Sequence, residues 1–221
     1  MRPMIDYAAA RLNMVDVQLR TNGVVDRALL EAFLAVPRER FVPEALKGVA
    51  YTDKDLPLGN GRYLMEPLVL ARLTQLAELG PNARVLCVGS GPGYDAAVIA
   101  HFASAVVALE SDSSLAATAR HLLVELGYVT ASVVEGPLAQ GHAADAPYDA
   151  IIFGGAISEV PDSIARQLAK SGRIVAVLRA DARVAQVTVM ARTGGALSRR
   201  PVFDAAVHAL PGFAPRPAFV F

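Results

Sequence analysis

A glycine-rich turn is the feature of this sequence whose residue types and spacing best suit chemistry. Gly89–Gly93 reads Gly-Ser-Gly-Pro-Gly and directly follows a short apolar run, Val85–Val88. Glycines there let the backbone bend tightly and approach a ligand, and the amides that begin the next helix are free to bind it. Glu110 ends the next apolar run about twenty residues on, where a carboxylate can accept hydrogen bonds from ribose hydroxyls. The combination predicts a site for a nucleoside-type cofactor. A strand-to-helix turn without a ligand is the alternative.

The spacing of the glycines distinguishes between two cofactor classes. Dinucleotide-dependent enzymes usually carry G-x-G-x-x-G, whereas the turn here is G-x-G-x-G, and a helical segment, residues 1–80, precedes the first predicted strand. Both features favour S-adenosylmethionine as the cofactor, with S-adenosylhomocysteine as its product. A nicotinamide-dependent oxidoreductase is the weaker alternative.

Other catalytic arrangements find little support in the sequence. A nucleophile elbow, G-x-S-x-G, needs glycine where Val88 stands, and the phosphate-binding pattern G-x-x-x-x-G-K-[ST] does not occur. The four histidines lack the spacing of metal ligands, so no metal is expected. Cys87 lies within an apolar run and is interpreted as a small buried side chain.

Composition narrows the class of protein further. Hydrophobic residues make up 53% and charged residues 19% of the 221 residues, which excludes an intrinsically disordered chain. Equal numbers of basic and acidic residues, 21 each, and the lack of Trp argue against a nucleic-acid partner. The single cysteine favours a reducing, cytoplasmic location. No uncharged run has the roughly 18–20 residues of a membrane helix, so no membrane association is expected.

Strands and helices alternate from residue 84 onward, which predicts the scaffold that positions the turn. The predicted strands are Val85–Val88, Ala105–Leu109, Ala131–Val134, Tyr148–Phe153 and Arg173–Leu178, and the predicted helices are Tyr94–Phe102, Leu115–Leu126 and Asp162–Ala169. Alternation of this kind implies crossover connections and a parallel sheet, and unbroken apolar strands imply that both faces are covered. Val184–Ala191 and Ala218–Phe221 are expected to form an antiparallel hairpin at the sheet edge.

The residues before the sheet are predicted to be helices joined by loops. Helices are expected over Asp6–Leu19, from an N-cap at Asp26 to Pro37, and over Pro67–Leu79, with a flexible turn at Gly59–Gly61. Residues 1–80 are therefore interpreted as a helical cap with a substrate loop, part of the same domain as a cofactor-binding core in residues 81–221.

Several runs resemble the protein-L-isoaspartate O-methyltransferase family. The runs that carry the resemblance are Val36–Pro43 (VPRERFVP), Ala50–Asp53 (AYTD), Leu56–Gly61 (LPLGNG), Val85–Tyr94 and Ala146–Ile152. The resemblance spans roughly Met14 to Val177. Within the first run, Arg38 and Glu39 are equally compatible with a charged helix end beside a proline.

The resemblance implies both a fold and a reaction. The implied fold is α/β: a doubly wound, mostly parallel seven-stranded sheet of the class I S-adenosylmethionine-dependent methyltransferase type, with an N-terminal helical cap. The implied reaction transfers a methyl group to the free carboxylate of an isoaspartyl residue in a damaged protein or peptide, which begins its repair. A carboxylate is already ionised at pH 7, so this chemistry needs positioning rather than a general base.

The resemblance also assigns candidate site residues. The cofactor-binding candidates are Gly89, Ser90, Gly91, Gly93, Tyr94, Glu110, Ser111, Gly136, Pro137 and Leu138. The substrate-binding candidates are Arg62, Tyr63, Leu64, Met65 and Glu66. The cap is expected to bring this second group close to Gly89–Gly93. Arg62 could bind a carboxylate through its forked guanidinium, or it could pair with Glu66 four residues on.

Four positions at the expected site depart from the family pattern. Two of them lie in residues 62–67, where the family usually reads Gln-Thr-Ile-Ser-Gln-Pro. Tyr63 and Met65 stand at its hydroxyl positions, and a methionine cannot donate a hydrogen bond. Cys87 replaces an acidic residue of the first core strand, and Pro137 replaces the aspartate of a Gly-Asp-Gly run. The departures leave two alternatives: a methyltransferase for a different substrate, and an impaired or non-catalytic binding protein of the same fold.

Overall fold

Helices and one hairpin form the layer that precedes the sheet. In this computed structural model, which describes residues 5–179, 184–193 and 196–213, these elements are α1 (Tyr7–Asn13), α2 (Arg27–Ala35), β1 (Leu56–Gly59), β2 (Arg62–Leu64) and α3 (Pro67–Leu76). Helix α1 continues as a π-helical turn to Leu19, which confirms the predicted helix. The Asp26 side chain accepts from the Leu29 amide at 3.0 Å and so caps α2, as its position predicts.

The β1–β2 hairpin was not predicted, although its turn was. Gly59, Asn60 and Gly61 all have positive φ, at 95°, 50° and 71°, the backbone conformation that tight hairpin turns require. The strands on either side have only four and three residues, and β1 contains Pro57, which cannot donate to a sheet ladder. Strands this short leave too little alternation in the sequence to be recognised.

A seven-stranded sheet forms the centre of the fold. Its strands are β3 (Arg84–Val88), β4 (Ala105–Glu110), β5 (Ala131–Glu135), β6 (Tyr148–Ile157), β7 (Leu168–Leu178), β8 (Gln186–Thr193) and β9 (Ala196–Asp204). Their order is β5-β4-β3-β6-β7-β8-β9. The first five strands in this order, from β5 through β4, β3 and β6 to β7, pair in parallel. Strands β8 and β9 are antiparallel to their neighbours. The predicted mostly parallel sheet is confirmed.

One helix predicted near the sheet edge was wrong in its length. The helix expected over Asp162–Ala169 is only α6 (Asp162–Ala165), because Leu168 of β7 already pairs with Tyr148 of β6. The antiparallel strand that follows β8 is β9, whose charged residues concealed its strand character. Ala218–Phe221, the strand predicted to pair with Val184–Ala191, lies outside the described residues.

Helices cover the two faces of the sheet unequally. The cluster that includes Val85 and Cys87 also holds buried residues of α2, α3, α4 (Tyr94–Ile99) and α5 (Ser113–Glu125). The cluster that includes Leu86 and Val88 is closed by α6, short 3₁₀ turns and Leu210. Alternate residues of β3 thus face opposite layers, as a strand period of two requires. None of the helices in the described part of the chain is long and apolar enough to cross a membrane.

Arg38 and Glu39 lie in a 3₁₀ turn, Arg38–Phe41, that directly follows Pro37. Both are buried, and Arg38 has 0% exposure. Its Nε and Nη2 donate to the Ala50 and Met65 carbonyls, each at 2.7 Å. The guanidinium also lies 4.8 Å from the ring centroid of Tyr94. Arg38 therefore ties the middle of the cap to the residue that follows the β1–β2 hairpin.

We expect Arg38→Leu to lower the free energy of unfolding by about 3 kcal/mol, because it leaves two buried carbonyls without a donor. Urea denaturation measures the change. Arg40→Ala is the matched control, since Arg40 pairs with Glu125 on the surface and exposed pairs contribute little. Equal losses in the two variants would contradict the role assigned to Arg38.

Candidate active site

The glycine-rich turn closes against the neighbouring strand. The amides of Gly89 and Ser90 both donate to the Leu109 carbonyl, at 2.8 and 3.1 Å. Gly89 and Gly91 have φ of 77° and 56°, a region that other residues seldom adopt. A Cβ built on Gly154, beyond Phe153 in β6, would lie 2.3 Å from the Gly89 carbonyl oxygen. The carboxyl ends of β3, β4 and β6 therefore meet at the turn, as expected for a ligand site in a parallel sheet.

Glu110 lies at the end of β4 and is fully buried. Its carboxylate accepts from the amides of Gly91, Ser111 and Asp112, at 2.7, 2.7 and 3.0 Å. Burial by itself raises the pKa of a carboxyl group, but the hydrogen bonds and charge of Arg62, together with the backbone amides, outweigh it and lower the pKa of Glu110. The carboxylate is therefore ionised and aimed at the turn.

Arg62 brings the hairpin onto this carboxylate. Its Nη2 and Nε lie 2.8 and 3.3 Å from the two oxygens of Glu110, and Nη2 also donates to the Gly89 carbonyl at 2.7 Å. The expected approach of the hairpin to the turn is thus confirmed at Arg62. The alternative pairing with Glu66 was wrong, because alternation along β2 turns Arg62 and Leu64 inward while Glu66 lies beyond the strand.

The other substrate-binding candidates face different surroundings. The Tyr63 ring stacks on His208, with centroids 3.6 Å apart. Leu64 and Met65 are buried, and the Met65 carbonyl accepts from Arg38. The Glu66 amide donates to Asp55 at 2.9 Å. Burial raises the pKa of Glu66 to about 7, and the charges of Asp53 and Asp55 add to the rise.

An Asp55–His208 contact joins the hairpin region to the segment 205–213 that follows β9. Asp55 Oδ2 accepts from the His208 amide at 2.8 Å and lies 2.9 Å from its ring Nδ1. The two residues are 153 positions apart, so no local pattern could have revealed the contact.

The remaining cofactor candidates divide into two groups. The Gly136 amide donates to the Glu110 backbone carbonyl at 3.0 Å, which places the start of Gly136–Leu138 beside the end of β4. Ser111 lies there too, through its own amide. Gly93 precedes α4 and packs against α5, where a Cβ on it would lie 3.2 Å from Ala119 Cβ. Tyr94 is fully buried between Phe33 and Phe41, so its side chain belongs to the core rather than to the site.

Asp95 is a site residue that the sequence reasoning missed. It is buried in the first turn of α4 and accepts from the Ser90 hydroxyl and, at 2.7 Å, from the Ala96 amide. Burial raises the pKa of Asp95 to about 6, despite these hydrogen bonds. A charged residue within the apolar run of α4 was the signal that could have identified it.

The chemical groups of this cleft suit a nucleoside-type cofactor, but its present shape leaves no room for one. A cavity of about 20 Å³ remains between β2 and the glycine-rich turn, space for roughly one water molecule, whereas small-molecule sites span about 300–1,000 Å³. A Cβ on Gly89 would lie 2.5 Å from Leu210 Cδ1 and 3.0 Å from Arg62 Nη2. The protein's own side chains therefore fill the space over the turn. Among the described residues, no cluster is arranged to hold a metal ion.

Comparison with solved structures shows which fold this is. A structure named protein-L-isoaspartate O-methyltransferase superposes with a TM-score of 0.82 and 24% identity, covering 92% of this chain and 67% of that one. A Plasmodium falciparum chain solved in complex with S-adenosyl-L-homocysteine gives 0.77 and 19%, covering 95% of this chain and all of the other. The fold is that of the class I S-adenosylmethionine-dependent methyltransferases.

Sequence comparison identifies the family within that class. The profile of the Protein-L-isoaspartate(D-aspartate) O-methyltransferase family matches residues 10–203. A protein-L-isoaspartate O-methyltransferase of Gloeobacter violaceus is 37% identical over 190 residues, 86% of this chain and 93% of that protein. One of Methylorubrum extorquens is 43% identical over 173 residues, 78% of this chain and 75% of its own. The chain belongs to the protein-L-isoaspartate O-methyltransferase family.

The raised pKa of Asp95 predicts a specific pH dependence of stability. The pKa of Asp95 is about 6 in the folded protein, against an ordinary value of 3.8. The protonated carboxyl therefore stabilises the fold; this contribution is complete below pH 3.8 and is lost as the pH rises through 6. Asp95→Asn removes this titration. The stability of the variant relative to the natural protein should therefore rise between pH 4 and pH 7, by on the order of 2 kcal/mol.

Urea denaturation at several pH values measures the difference. Asp112→Asn is the control of opposite sign, since hydrogen bonds from Asn60 and the first amides of α5 lower the pKa of Asp112. The stability of Asp112→Asn relative to the natural protein should improve only as the pH falls. A difference for Asp95→Asn that does not vary with pH would contradict the assignment.

Proposed function

We propose that this protein is an S-adenosylmethionine-dependent O-methyltransferase that esterifies the free carboxylate of isoaspartyl residues in damaged proteins. The match to the family over residues 10–203 carries the proposal. The relatives from Gloeobacter violaceus and Methylorubrum extorquens bear the name of this activity. The related fold from Plasmodium falciparum was solved with S-adenosyl-L-homocysteine, the product of that methyl donor.

The residues that would hold the cofactor surround the end of β4. The Glu110 carboxylate would accept hydrogen bonds from the ribose hydroxyls, and Gly89 and Gly91 would supply the backbone turn that binds the cofactor. Gly136–Leu138 lies next to Glu110 through the Gly136 amide. When bound, S-adenosylmethionine supplies a methyl group already activated by its sulfonium.

The protein itself contributes position. The acceptor carboxylate is ionised at pH 7 and needs no general base, so correct alignment of the reactants accounts for the acceleration. We assign the action to the cytoplasm, where a free thiol such as that of Cys87 persists.

Methyl transfer to a defined peptide tests the proposal. The purified protein, supplied with S-adenosylmethionine labelled in its methyl group, should label a peptide containing one isoaspartyl residue. The label should be released as methanol in mild base, as expected of a methyl ester. The same peptide with ordinary aspartate is the matched control and should stay unlabelled.

The outcomes separate the alternatives. Cofactor binding without transfer to the isoaspartyl peptide would indicate a methyltransferase with a different acceptor. Failure to bind S-adenosylhomocysteine up to millimolar concentration would indicate a non-catalytic protein of the same fold.

A further inference from the structure

The Arg62–Glu110 ion pair occupies the carboxylate on which the proposed cofactor site depends. A carboxylate has about four lone-pair sites. Glu110 already accepts from three backbone amides and from two nitrogens of Arg62. A ribose diol would present its two donors to the same oxygens. The cofactor and Arg62 therefore compete for one acceptor, which is saturated as long as Arg62 remains.

Leu210 fills the adjoining space over the turn. Its amide donates to the Ala156 carbonyl at 2.7 Å, and the Ala156 amide donates to His208 at 2.9 Å. This pairing holds the segment 205–213 against the end of β6. The Leu210 side chain then lies over Gly89, at the same glycine that Arg62 contacts. The β1–β2 hairpin and the segment 205–213 thus converge on Gly89.

Besides the buried Arg62–Glu110 pair, two contacts nearer the surface hold these two parts. The Asn60 side chain at the hairpin tip donates to Asp112 Oδ2 at 2.8 Å, an exposed hydrogen bond. Tyr63 stacks on His208 and so joins the hairpin to the segment 205–213. The hairpin itself has only two short strands. Residues 57–61 are exposed or half-buried, so once Arg62 leaves Glu110 the hairpin can open without disturbing the seven-stranded sheet.

We propose that Arg62 and Leu210 form a built-in plug of the cofactor cleft, and that the cofactor binds only after the β1–β2 hairpin withdraws Arg62 from Glu110. The inference rests on the proposed function. Only molecules in the open state can bind the cofactor, so the plug lowers the apparent affinity in proportion to the fraction of open molecules. Arg62 is thus a gate residue that sets cofactor affinity.

Binding of S-adenosylhomocysteine to the full chain, measured by calorimetry, tests the plug. Arg62→Ala removes the competitor and leaves Glu110 free for the ribose, so its dissociation constant should fall about tenfold or more below that of the natural protein. Arg40→Ala, which alters an arginine in a surface pair with Glu125, is the matched control and should bind as the natural protein does. Equal or weaker binding by Arg62→Ala would overturn the proposal.

A second variant keeps the test decisive if Arg62→Ala fails to fold. Asn60→Gly removes the hydrogen bond at the hairpin tip and preserves the positive φ there, leaving the buried ion pair in place. It should bind S-adenosylhomocysteine about two- to tenfold more tightly, because one hydrogen bond no longer favours the closed hairpin. Unchanged or weaker binding by this variant would also overturn the proposal.

Hydrogen exchange supplies a readout that a merely structural ion pair would not change. Saturating the natural protein with S-adenosylhomocysteine should speed amide exchange in residues 56–64, because the hairpin opens as the ligand enters. Unchanged or greater protection there would contradict the plug.

Failure of the plug and failure of the proposed function give different results. If the natural protein and Arg62→Ala bind with equal affinity, the plug fails and the methyltransferase function stands. If neither the natural protein nor any variant binds S-adenosylhomocysteine at millimolar concentration, the proposed function fails and the plug fails with it.

Discussion

The structure around the site depends on one buried ion pair, between Arg62 of the hairpin and Glu110 of the sheet. Removing two charges from water is costly, and the cost is offset only where geometry and hydrogen bonding are nearly complete. Here Glu110 is met by three backbone amides and a forked guanidinium, and Arg62 also reaches the Gly89 carbonyl. The pair therefore joins the hairpin, the glycine-rich turn and the end of β4 into one polar unit.

A second buried arginine, Arg38, anchors the chain next to the end of β2. Arg38 binds the Met65 carbonyl just after β2 and the Ala50 carbonyl in the cap. The hairpin is thus held by different means along its length: Arg38 and Asp55 bind the residues at its base, and Asn60 binds Asp112 at its tip beside the Arg62–Glu110 pair. Its base is anchored independently of Arg62, so the hairpin can pivot about that base when Arg62 leaves Glu110.

The departures from the family pattern have different physical consequences. Cys87 is fully buried in β3, where burial raises the pKa of its thiol, and it packs as a small apolar side chain. Met65 is buried, lines the small cavity beside the glycine-rich turn, and accepts a hydrogen bond from Arg38 at its carbonyl. Tyr63 replaces a small hydroxyl residue with a ring that stacks on His208. Pro137 begins a 3₁₀ turn beside Glu110, and nothing in the structure explains its replacement of an acidic residue.

The sequence by itself determined the parallel strands, the capped helix α2, the glycine-rich turn and the carboxylate at the end of β4. These features follow from local periodicity and glycine spacing, which a short stretch of chain expresses without its neighbours. The tertiary structure alone decided what Arg62 pairs with, because its partner lies 48 residues away. It also decided that β9 is the partner of β8, that Arg38 is buried, and that Leu210 lies over the turn. Each of these depends on surfaces that meet only when the chain has folded.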